Sequence, residues 1–73
     1  MYDMKYFREH AVKLTPRCIG LYASYELDGH IIDMWFACSP YISIRIDNKP
    51  VVTRALRRNG VKLALKYLNN NES

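Results

Sequence analysis

The dipeptide Asp28-Gly29 constrains this chain more than any other feature. Asp-Gly between two alternating segments is a hairpin signal, because a two-residue type I′ turn needs positive φ at both central positions. Before it, Ile19, Leu21, Ala23, Tyr25 and Leu27 recur with period two. A two-residue turn then pairs Leu27 with His30, Tyr25 with Ile32, Ala23 with Met34, Leu21 with Phe36 and Ile19 with Cys38. All five pairs face one way, and a slip of one residue would reverse every one of them. A three-residue loop, Ser39-Pro40-Tyr41, extends the same face by pairing Cys38 with Ile42, Phe36 with Ile44 and Met34 with Ile46. The expectation is a three-stranded antiparallel β-meander over about residues 17–27, 30–38 and 42–47. Cys18 and Cys38 have opposite parity in this register, so both are expected as free thiols.

The flanks read as helical. Asp3 caps a helix whose Met4, Phe7, Ala11 and Leu14 share one face, and Thr15-Pro16 stops it. Asp47 or Asn48 caps a second helix, with Pro50 in its first turn and Val52, Ala55 and Leu56 on its apolar side. Val61, Ala64, Leu65 and Leu68 are also spaced helically but are rotated away from that set, with Asn59-Gly60 between them. One or two C-terminal helices are therefore expected. The rival is a hairpin at Asn59-Gly60, in which Val61, Leu63, Leu65 and Tyr67 alternate, and this would give a small five-stranded β-barrel. The fold class expected is α+β: an N-terminal helix, the meander, and the C-terminal helices on its apolar face. At 73 residues there is room for one core, assigned to residues 1–68, with 69–73 as a flexible polar tail. The order helix, three strands, helix resembles a double-stranded-RNA-binding domain, and Gly29-His30 and residues 60–68 are superficially similar to it. The two-residue first turn and Val52-Thr53 at the helix start depart from that family's long loop and paired lysines, so the likeness is one of topology.

Charge points to function when it is divided along the chain. Residues 48–73 carry six Lys and Arg against Glu72 alone, a net of +5, whereas residues 17–47 carry −2. Arg54, Arg57, Arg58, Lys62 and Lys66 would form a cationic stripe on helical segments, able to follow a phosphate backbone; a plain solvated helix face is the competing reading. The first functional expectation is thus a non-catalytic nucleic-acid-binding regulator. The second is a protein-binding inhibitor or adaptor of the size that phages and plasmids encode. It would use a row of Tyr22, Trp35 and Arg45, which the register sets side by side on the outer face of the meander. The partner expected is accordingly nucleic acid or a protein target, with a homodimer among the arrangements allowed.

Other chemistries find little support. His10, Cys18, His30 and Cys38 lack the spacing of a zinc site, and no phosphate loop or nucleophile elbow is present. Neither catalysis, nor a metal, nor a cofactor is expected. The longest apolar run, Met34–Cys38, is too short to span a bilayer. A cytoplasmic, reducing location fits the two cysteines.

Overall fold

Two tight turns, both built from residues that tolerate left-handed backbone, set the frame of the molecule. The computed structural model describes residues 1–71. Asp28 and Gly29 have φ of 51° and 85°, the type I′ pattern expected, and Asp47 and Asn48 repeat it with 53° and 68°. The elements are α1 (Met4–His10), β1 (Val12–Leu14), β2 (Leu21–Leu27), β3 (His30–Phe36), β4 (Tyr41–Ile46), β5 (Lys49–Leu56), a 3₁₀ turn (Arg57–Asn59) and α2 (Gly60–Asn71). The strands form one open antiparallel sheet in the order β1-β2-β3-β4-β5.

The fold is α+β, but with five strands where three were expected. Asp47-Asn48 is a hairpin turn and not a helix cap, and the residues after it return as β5. Val51, Val52 and Thr53 favour an extended chain, and Pro50 is tolerated because β5 is an edge strand. The first helix ends at Ala11, whose ψ of 138° is extended, so Val12–Leu14 pairs with β2 in place of a longer helix. The five-stranded alternative fits in part: the segment before Asn59-Gly60 is a strand, as that hairpin required. Its last strand is the helix α2, and the sheet stays open, with β1 and β5 at its two edges. The likeness to a double-stranded-RNA-binding domain, which rested on three strands, lapses with the strand count.

The β2–β3 register holds near its turn and changes away from it. Leu27 faces His30, Tyr25 faces Ile32 and Ala23 faces Met34 as expected; a bulge then brings Leu21 opposite Trp35. Residues 17–20 leave the ladder in a turn closed by the Leu21 amide on the Cys18 carbonyl, so Ile19 is solvent-exposed and not paired with Cys38. Between β3 and β4 the pairing is shifted by two residues: Phe36 faces Ile42, Met34 faces Ile44 and Ile32 faces Ile46. An even shift preserves parity, which is why the apolar face survives it. Both cysteines are free and exposed, outside the strands that assigned them opposite faces.

Both helices cover that apolar face. Leu27, Ile32, Met34, Ile42, Ile44 and Ile46 of the sheet form one core with Phe7 of α1 and Ala64, Leu65 and Leu68 of α2. Burying each Leu or Ile fully contributes about 1.5–3 kcal/mol. Gly60 opens α2 because the helix comes close to the sheet here: a β-carbon would lie 2.8 Å from Ile42 Cδ1. Residues 69–71, expected in the tail, continue α2, and the Asn69 side chain exchanges two hydrogen bonds with the Tyr2 backbone (2.7 and 2.8 Å). The rest of that tail, residues 72–73, lies outside the described residues.

The opposite face is covered in part by the chain between β1 and β2. Asp33, only 3% exposed, accepts hydrogen bonds from the buried Ser24 hydroxyl at 2.6 Å and from Arg17 of this segment at 3.0 Å. Gly20 lies against the Trp35 ring, and the indole Nε1 is buried without a hydrogen-bond partner among the described residues.

Candidate nucleic-acid interface

In an antiparallel meander the start of β2, the end of β3, the start of β4 and the end of β5 share one end of the sheet. That end carries Tyr22, Phe36, Pro40, Tyr41, Arg54, Arg57 and Arg58. The Arg54 guanidinium lies 4.1 Å from the centroid of the Tyr41 ring, and that of Arg57 lies 5.0 Å from the Tyr22 centroid. Tyr22 in turn meets Phe36 edge-on, with centroids 5.4 Å apart. The Arg57 amide donates to the Pro40 carbonyl at 3.1 Å, which fixes the 3₁₀ turn against the β3–β4 loop. Beside it, Pro40, Leu56, Arg57 and Arg58 line a shallow cleft of ≈ 420 Å³.

The five predicted cations separate into two groups. Arg54, Arg57 and Arg58 all lie at this end of the sheet and are exposed, and none forms an ion pair among the described residues. Lys62 and Lys66 are exposed on α2, where with Tyr2, Asp3 and Met4 they line a groove of ≈ 560 Å³ between the helices. The cationic stripe expected on helical segments is absent, because Arg54 belongs to a strand and Arg57 and Arg58 to a 3₁₀ turn. The basic residues continue into the first turn of α2, which has no acidic residue. Positive charge at a helix N-terminus opposes the macrodipole, so stability does not explain it.

The row of Tyr22, Trp35 and Arg45 is not assembled. The bulge gives Leu21 the position opposite Trp35, while Tyr22 packs against the core cluster and Phe36. The shifted β3–β4 register puts Ser43 opposite Trp35 and moves Arg45 to Asp33; the Arg45 guanidinium donates to the Asn48 carbonyl at 3.3 Å. Phe36 and Tyr41 are the residues the sequence reading missed. Phe36 has the period-two signal of a core residue but ends its strand and is 56% exposed, and Tyr41, a loop residue by the sequence pattern, opens β4.

The other polar groups are engaged with one another. His30 Nδ1 lies 2.8 Å from an Asp47 carboxylate oxygen, and the Ile31 amide donates to the other oxygen at 3.0 Å. The His30 bond, then the Ile31 amide, hold the Asp47 carboxyl below its usual pKa. Among the described residues no group of three His, Cys, Asp or Glu is arranged to hold a metal, and no helix is long and apolar enough to cross a membrane. In comparisons with known proteins, no family model matches the chain, and neither a curated protein nor a solved structure resembles it significantly.

Proposed function

We propose that this chain is a small non-catalytic nucleic-acid-binding regulator whose contact surface is the loop end of the sheet, centred on Arg54, Arg57 and Arg58. The observation that carries this reading is that three exposed guanidiniums share this end of the sheet without a carboxylate partner among the described residues. Arg54 and Arg57 already rest on tyrosine rings, which lowers the entropy lost when a phosphate binds. Lys62 and Lys66 extend the positive field along α2.

Fluorescence anisotropy with a labelled mixed-sequence oligonucleotide tests the proposal. Counterion release by three phosphate contacts should give log K against log salt a slope of about −2 to −3. Replacing Arg54, Arg57 and Arg58 together by Gln should abolish binding and leave the chain folded, with stability lowered by about 1–2 kcal/mol for the two lost cation–π contacts. Salt-independent binding, or unchanged affinity in the triple variant, would overturn the assignment.

A further inference from the structure

Resting on the reading above, we infer that the nucleic acid taken by this end is single-stranded and that Phe36 supplies the ring on which one of its bases stacks. Phe36 is the last residue of β3, beyond the cover of the helices, and 56% of it is exposed. Its amide donates to the Gly20 carbonyl at 2.9 Å, so its backbone is fixed, and its ring is held edge-on by Tyr22. The same Tyr22 ring carries the Arg57 guanidinium. A cation for phosphate and a free ring for a base are therefore only two ring contacts apart. Ile19, next to Gly20, is fully exposed and adds apolar surface to the same end.

A duplex has no use for this arrangement. It presents phosphates and base edges while the π-faces of its bases stay inside the stack, so Phe36 and Ile19 would remain in water or be pressed against charge. An unpaired strand offers base faces and phosphates in alternation, and alternating aromatic and cationic side chains are its complement. Exposed apolar residues scattered singly need no such explanation. Here the ring, its tyrosine neighbour and the guanidinium are contiguous.

The test uses the full chain and four labelled probes: a mixed-sequence single-stranded RNA, the DNA of the same sequence, the DNA duplex, and an abasic DNA strand of equal length. At least one base-bearing single strand should bind tenfold or more tighter than both the duplex and the abasic strand, and the RNA and DNA arms show which sugar is preferred. Phe36→Leu, which keeps apolar bulk but removes the ring, should weaken single-strand binding about tenfold and leave the duplex and abasic affinities unchanged. Equal binding of all four probes, lost together in the Arg-to-Gln variant, would overturn the stacking inference while leaving phosphate binding intact. No binding to any probe would overturn both. If Phe36→Leu melts early, the abasic comparison on the unaltered chain decides alone.

Discussion

At the turn end of the sheet, Asp28 accepts a hydrogen bond from the Tyr6 phenol at 2.8 Å, and Asp47 holds the His30 ring and the Ile31 amide. At the loop end, the Arg54 and Arg57 guanidiniums lie over tyrosine rings, Arg58 is exposed, and none of the three forms an ion pair among the described residues. The carboxylates thus tie strands, turns and helix together, and their loss should cost stability. The guanidiniums tie down very little, and their loss should cost binding. On the function proposed above, charge that the fold does not use internally is left available to a ligand.

The largest effect that would test this division is at Asp33, the most buried carboxylate among the described residues. Asp33→Ala strands the fully buried Ser24 hydroxyl and releases Arg17, and hydrogen bonds to a charged group contribute about 1.5–3 kcal/mol. We expect a loss of about 3 kcal/mol in urea denaturation, with oligonucleotide affinity unchanged at temperatures where the variant is folded. A large drop in affinity would break the separation of the two ends. Next is Gly29→Val, which forces a β-branched residue to φ near 85° and should cost about 2 kcal/mol. Asn69→Ala, harmless had residues 69–73 been a tail, should cost about 1 kcal/mol through its bonds to Tyr2. Equal denaturation midpoints for Asn69→Ala and the unaltered chain would remove the coupling between α2 and the N-terminus.

What the sequence shows of this fold is the part fixed by short-range chemistry. Asp28-Gly29 announces its own turn, and parity carries the apolar face through β3 and β4 even though the loop between them is misjudged by two residues. The strand β5 was hidden because Ala55, Leu56, Arg57 and Arg58 are good helix formers; intrinsic preference is a weak term, and pairing with β4 overrides it. The bulge at Leu21–Tyr22 leaves no mark in the sequence, and on its own it dissolves the proposed aromatic row. The basic residues of the candidate site were legible from charge alone. Their grouping was not, since it depends on β5 and on the 3₁₀ turn that carries Arg57 and Arg58 to the same end as Phe36 and Tyr41.

The turn end should also respond to pH at both extremes. The folded-state pKa of Asp47 is lowered, chiefly by its bond to His30, so its contribution is fully present above the unfolded value near about 3.9 and is lost as pH falls through the lower folded value. Tyr6 is raised, chiefly by its bond to Asp28, so its contribution is present below about 10 and is lost as pH rises through the folded value. Melting temperatures across pH should therefore fall less steeply in acid for Asp47→Asn and less steeply in alkali for Tyr6→Phe. Parallel profiles for variant and unaltered chain would show that these bonds do not couple to folding.

The smallest effect has the most informative sign. Lys62 is the third residue of α2, within a first turn that has no acidic side chain and just after Arg57 and Arg58. A cation there opposes the helix dipole and repels its basic neighbours, whereas a carboxylate would complement both. Lys62→Glu should therefore raise stability, by about 0.3–1 kcal/mol at low salt. The same substitution reverses a charge in the positive field that α2 adds to the three arginines and should weaken oligonucleotide binding more than Lys62→Gln does. Stability rising while affinity falls is the behaviour expected of a surface whose charge serves a ligand at the expense of the fold. If Lys62→Glu lowers stability, the lysine supports the fold in a way its exposed position does not show, and the contrast between the two ends narrows to the three arginines.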